Sequence, residues 1–121
     1  MFKFWGKVKR GQGRGKKLGF PTANINLHKK IPEGVYLSLT KINEKQIPSL
    51  TFIGSAKTFN ETKYQAESYL QNFAGNLYGK YININLFKKI RGNLKFKNVE
   101  SLVHQMAIDK KVLERHISTH E

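Results

Sequence analysis

From residue 2 to residue 90 the apolar positions recur every second residue in short runs; after residue 98 the spacing becomes that of a helix. Along the first run Phe2, Phe4 and Val8 face one way and Lys3, Lys7 and Lys9 the other, which predicts a half-buried strand over 2–10. Four glycines in residues 11–19 interrupt it, and glycine at that density weakens helix and strand alike, so the segment reads as a loop. Pro21 then holds Phe20 extended, and residues 20–25 form a second extended piece. Residues 29–32 form a polar connection ending in a Pro-Glu-Gly turn. Val35 to Ile42 and Gln46 to Ile53 are β-branched and aromatic runs around Asn43-Glu44-Lys45, the pattern of a hairpin. After a loop over 54–62, Tyr64 to Phe73 is extended, with Glu67, Tyr69 and Phe73 on one face and Ala66 and Leu70 on the other. A turn at 74–76 leads to a last alternating run, Tyr78 to Ile90, in which Ile82, Ile84 and Leu86 share a side. Val99, Leu102, Val103, Met106, Leu113 and Ile117 recur at helical spacing, with Asn98 as the expected N-cap. Five or six short strands with glycine-rich turns, then one helix, predict a small closed barrel with the helix against its mouth or wall.

A chain of 121 residues fits one domain, here 1–121. Its 39% hydrophobic content and its aromatics (8 Phe, 5 Tyr, 1 Trp) are those of a folded globule. The absence of cysteine excludes disulfides, thiolate metal sites and a cysteine nucleophile. The start carries no secretory h-region and no apolar run approaches a membrane span, so a soluble, cytoplasmic protein without a membrane partner is expected. Against 8 acidic residues stand 22 Lys and Arg, a formal charge of +14. Such a field attracts polyanions and phosphorylated substrates. The excess is also what a lysine-rich surface kept for solubility would show, and alone it does not separate a nucleotide enzyme from an RNA binder.

The strongest local signal is GQGRGKKLGFPTAN, residues 11–24. Glycines let backbone N–H groups approach an anion closely, and Arg14, Lys16 and Lys17 add neutralising charge. Thr22 and Asn24 stand two residues apart, so an extended segment puts a hydroxyl and an amide oxygen on one side, the donors that hard cations accept. The segment has neither the Walker A spacing nor a following helix, and by composition it could equally be a plain surface loop. Glu67, mid-strand among few acids, suits a general base, although an outward strand carboxylate paired to a lysine would look the same. The four histidines, at 28, 104, 116 and 120, show no ligand spacing and read as surface residues.

Taken together, GKKLGFPTANI at 15–25, PEGVY at 32–36, IGSAKTF at 53–59, Glu67 with Phe73 and LYGK at 77–80, IRGNLKF at 90–96, NVESL at 98–102 and Gln105 with Asp109 resemble, in order, the riboflavin kinase (flavokinase) family. The kinase half of the bacterial bifunctional riboflavin kinase/FAD synthetases is the similar part. The resemblance covers nearly the whole chain and implies a mainly β, six-stranded Greek-key barrel with a C-terminal helix. It implies the reaction riboflavin + ATP → FMN + ADP, with ATP as co-substrate and Mg²⁺ (or Zn²⁺ or Mn²⁺) as the metal. It places the nucleotide at Gly13, Gly15, Lys16, Lys17, Gly19, Pro21, Thr22 and Asn24, the metal on Thr22 and Asn24, the catalytic carboxylate at Glu67, and the flavin near Arg91, Phe96 and Leu102. Phosphoryl transfer needs positioning and charge neutralisation above all. Glu67 would accept the proton of the ribityl 5′-hydroxyl, and aromatic and aliphatic side chains near the helix would sandwich the flat, apolar ring system.

Lys16 stands where the family often has Arg, Lys57 where it has Pro, and Tyr69 and Asn72 where it has His and Asp; substrate affinity is the property these changes touch. No nucleotidyltransferase region is present, so the expected product is FMN and not FAD, from a monomer whose Met1 start suggests a single-domain kinase. The rivals are a basic β-barrel RNA-binding module and a non-catalytic flavin-binding domain. Against a nucleic-acid partner, the aromatics mostly alternate into a core and no RNA-binding signature appears.

Overall fold

The computed structural model describes residues 1–9, 22–55, 57–60, 63–73 and 75–119. They form six strands, β1 (Phe2–Lys7), β2 (Ala23–Asn26), β3 (Gly34–Ile42), β4 (Lys45–Gly54), β5 (Gln65–Leu70) and β6 (Tyr81–Arg91), followed by helix α1 (Val99–Thr119). A short 3-10 turn, Lys57–Phe59, lies in the loop after β4. The sheet order is β1-β6-β3-β4-β5-β2, and every pairing is antiparallel. The two end strands approach each other through a bridge between Lys9 and Asn24, where the Lys9 amide donates to the Asn24 carbonyl at 2.9 Å. The result is the expected mainly β barrel, nearly closed, so that few strand edges stay unpaired.

Alternation gives each strand an inner and an outer face. Phe4, Ile25, Ile53, Ala66, Leu70, Ile82, Ile84 and Leu86 fill the interior, with Tyr36 fully enclosed among them. β3 and β4 are apolar on the outer face as well, where Val35, Leu37 and Leu50 pack under Leu113 of α1. The helix therefore lies along the barrel wall, not across a mouth. Asn98 caps it, its Oδ1 accepting from the Ser101 amide at 2.8 Å. Midway through the barrel, Ser38, Thr40, Ser49, Thr51 and Ser68 are fully buried. Their hydroxyls link at 2.7–3.2 Å in the closed cycle 38–49–40–68–51–38, which gives each one a donor and an acceptor role.

β1 ends at Lys7, short of the expected 2–10, and β5 and β6 are also shorter than their patterns predict. β5 stops at Leu70 because Asn72 takes a left-handed φ of 52°, and Phe73 consequently packs against the interior cluster and leaves the face of Glu67. β6 starts at Tyr81, after a turn in which Gly79 adopts φ 83° and its amide donates to the Val8 carbonyl at 2.8 Å. His116 is half-buried against the Phe87 ring, 5.1 Å between centroids, and is not the surface residue its spacing suggested. His28 and His104 are exposed, as expected.

Candidate active site

β2 and β5 lie side by side, and their register sets Asn24 directly opposite Glu67. Residues paired in this way project from the same face, with Cβ atoms roughly 4.5–5.5 Å apart. Thr22 immediately precedes β2, two residues from Asn24 and so on the same side of the extended chain. The amide of Asn24 and the carboxylate of Glu67 anticipated from the sequence thus lie on neighbouring strands, with Thr22 two residues before Asn24. Asn24 is only 7% exposed, and its Oδ1 is buried without a hydrogen-bond partner among the described residues. A buried acceptor in that state is costly unless something donates to it or it ligates a cation. Glu67 is half-buried and accepts from Gln65 Nε2 at 3.3 Å. A hard cation takes oxygen ligands of the kinds Thr22 and Asn24 carry, so these residues fit Mg²⁺. Among the described residues no group of three or more His, Cys, Asp or Glu gathers, so such an ion would draw its remaining ligands from substrate phosphate and water.

The same register row continues across the sheet. Glu67 pairs with Phe52 on β4, Phe52 with Val35 on β3, and Val35 with Arg91 at the end of β6. At about 4.8 Å per strand, Arg91 lies roughly 14 Å from Glu67 along this outer face, with the half-buried Phe52 and the helix-covered Val35 between them. The Arg91 guanidinium is already engaged. Its Nε and Nη2 donate to Asp109 of α1 at 2.9–3.1 Å, and Gln105 Nε2 donates to Asp109 Oδ1 at 3.1 Å. Phe96 lies beneath the guanidinium, 5.8 Å from Cζ to the ring centroid. Arg91 and Phe96 are therefore held as one unit, while Leu102 is half-buried near the start of α1.

The segment after Arg91 is stitched to the loop after β4. Asn93 Nδ2 donates to Glu33 Oε1 and to the Ser55 carbonyl, each at 3.0 Å, and the Phe96 amide donates to Thr58 Oγ1 at 3.1 Å. Lys57, where the family pattern has proline, lies 3.5 Å from the Glu33 carboxylate. The Asn93 hydrogen bond, and then the Lys57 charge, hold the Glu33 carboxyl below its ordinary value. Gly54 permits this contact: at φ 139° it is in glycine territory, and a Cβ there would stand 3.0 Å from both Asn93 Nδ2 and Glu33 Oε1.

A concavity of about 410 Å³ opens between β1, the end of β2 and the turn before β6. Lys7, Lys9, Asn26, His28 and Tyr78 line it, and Lys9 is the last described residue before 10–21. The Lys9 ammonium has its pKa lowered, first by its side-chain contact with Lys63. The anticipated nucleotide residues Gly13, Gly15, Lys16, Lys17, Gly19 and Pro21 lie outside the described residues. Neither the basic cleft nor the place of Phe52 between Glu67 and Arg91 is legible in the sequence, because both depend on strand neighbours distant in the chain.

The Flavokinase family, described as riboflavin kinase, matches residues 1–117. This chain belongs to the riboflavin kinase family. A bifunctional riboflavin kinase/FMN adenylyltransferase of Escherichia coli (strain K12) is 35% identical over 112 residues, covering 90% of this chain and 36% of that protein. The chain thus spans about a third of the length of that curated relative. Among solved structures, a Streptococcus pneumoniae chain described as a macrolide-efflux protein superposes with a TM-score of 0.81 at 29% identity, over 93% of this chain and 38% of that one. A riboflavin kinase from Trypanosoma brucei shares the fold with a TM-score of 0.64 at 22% identity, over 96% of this chain and 79% of that one. Within this flavokinase fold, Asn24 and Glu67 occupy adjacent strands, and Arg91 closes the far end of their row.

Proposed function

We propose that this chain phosphorylates riboflavin at the ribityl 5′-hydroxyl, with ATP as phosphoryl donor, giving FMN and ADP. The observation that carries the reading is the Asn24–Glu67 pairing, with Thr22 two residues away. It sets a carboxylate beside a pair of oxygen donors, the arrangement needed to deprotonate an alcohol next to a phosphate chain. Glu67 accepts the hydroxyl proton as the oxygen attacks the terminal phosphorus in line. Thr22 and Asn24 would hold Mg²⁺, or Mn²⁺ or Zn²⁺, which when bound neutralises charge on the phosphate oxygens. The glycine segment 11–19 supplies backbone donors to the phosphates, helped by Lys16 or Lys17. The basic cleft beside Tyr78 receives the rest of the nucleotide. The isoalloxazine ring lies beside the half-buried Phe52, toward Arg91, Phe96 and Leu102.

The chain acts as one domain over 1–121, as a cytoplasmic monomer. Among the described residues no helix is long and apolar enough to cross a membrane. The test is incubation with riboflavin, ATP and Mg²⁺, scored for FMN and ADP by chromatography. Stoichiometric FMN and ADP support the proposal, and riboflavin binding without either product would replace it with a non-catalytic flavin-binding role.

A further inference from the structure

Apart from Lys7, which also borders the basic cleft, the outer face of β1 and the first half of β6 takes no part in the site above, and it is not covered by α1. Trp5 and Tyr81 are 64% and 63% exposed there, with ring centroids 5.9 Å apart and planes inclined by 47°. This departs from the expectation that the aromatics turn into the core. The register sets Trp5 opposite Asn83 and Lys7 opposite Tyr81, and Lys41 of β3 pairs with Asn83 from the other side. A shallow groove of about 250 Å³ runs beside the rings, with Lys3, Lys41, Gln46 and Asn83 on its walls. Neither β1 nor β6 contains an acidic residue; the acid of the adjoining β3–β4 turn is Glu44.

Two large rings kept in water are unfavourable for an isolated barrel. Set among lysines and amides they have the composition of a stacking platform: bases lie on the rings, ammonium groups neutralise phosphates, and amides meet sugar hydroxyls. We propose that this face binds single-stranded RNA, as a second surface beside the kinase site. The lysines require a polyanion, the paired rings require unstacked bases, and the amides beside them suit the 2′-hydroxyl, which both donates and accepts. Double-stranded RNA keeps its bases stacked and offers the rings nothing.

Trp5 is the chain's one tryptophan, so its fluorescence reports this face directly and independently of any kinase activity. Titration with a twelve-nucleotide oligouridylate at 50 mM salt should quench it. Three lysines facing three phosphates predict that affinity falls about 20-fold by 200 mM salt, from a slope of about −0.7 per phosphate. The double variant Lys3→Ser, Lys41→Ser should reduce that fall to about threefold. Trp5→Ala, followed by anisotropy of a labelled oligouridylate, should weaken binding at least about fivefold and leave FMN formation unchanged. Tyr81→Ser provides a second variant at an exposed position and should weaken binding likewise. Absent quenching, Trp5→Ala binding like the parent, or oligodeoxythymidylate binding as tightly would each overturn the proposal. Polyglutamate of equal charge competing as well as oligouridylate would also overturn it, in favour of an acidic protein.

Discussion

Replacing Ser49 by alanine opens the hydroxyl cycle at the centre of the barrel. Ser49 Oγ holds two of its five hydrogen bonds, to Ser38 at 2.7 Å and to Thr40 at 2.8 Å. Both bonds are lost, and the remaining four hydroxyls form an open chain with one O–H at its end lacking an acceptor in the cycle. Each net hydrogen bond contributes about 1 kcal/mol, so Ser49→Ala should destabilise by about 2 kcal/mol, and toward 3 if the terminal donor finds no carbonyl. For a domain of this size that lowers Tm by roughly 6–10 °C. Urea unfolding followed by far-UV circular dichroism measures it, with Ser118→Ala on the exposed side of α1 as a control expected to change stability by less than about 0.5 kcal/mol. The cycle also predicts coupling. Ser38 and Ser49 share a bond, so Ser38→Ala with Ser49→Ala removes three bonds, where adding the single losses would count four. The double variant should be about 1 kcal/mol less destabilised than the sum. A Ser49→Ala protein as stable as the parent, with an unchanged m-value, would refute the reasoning.

Two further predictions concern the outer row. Thr22→Ala removes one of the two oxygen donors proposed to hold the metal, so the Mg²⁺ concentration needed for half-maximal FMN formation should rise at least tenfold; a superimposable metal titration would reject its role. Asp109→Ala leaves the Arg91 guanidinium, 17% exposed, without its bidentate partner, and breaking such a buried pair costs about 3–5 kcal/mol. Chemical denaturation should show that loss, and KM for riboflavin should rise as Arg91 and Phe96 lose their fixed geometry; an unchanged denaturation midpoint would show that the pair carries no load.

Much of this architecture was readable along the chain, because a period of two marks strands and a period near 3.6 marks the helix regardless of what packs against them. The Thr22–Asn24 pair and Glu67 could be nominated for the same reason: their chemistry and spacing are local. What joins them is not local. Strand order decides that β2 lies against β5, and the row from Asn24 to Arg91 crosses five strands drawn from every part of the chain. The hydroxyl cycle was hidden for a different reason. Ser38, Thr40 and Ser68 look like outward residues by polarity, yet the barrel interior accepts them because each finds another hydroxyl. Alternation puts Phe73 on the face of Glu67, but the left-handed Asn72 that ends β5 turns it toward the interior cluster. The Arg91–Asp109 pair joins residues 18 apart in the chain, on a strand and a helix, and no pattern rule relates them. The glycine segment is the reverse case: its sequence speaks most clearly of phosphate binding, and residues 10–21 lie outside the described structure.

The account rests on one carboxylate acting as the base toward the sugar alcohol. Its most direct test is the single-turnover rate of FMN formation at saturating riboflavin and ATP, measured for the parent chain and for Glu67→Gln. General-base catalysis supplies about 10²–10⁴-fold, so the variant should bind both substrates with near-parental affinity and turn over slower by that factor. A Glu67→Gln protein that forms FMN at the parental rate would contradict it.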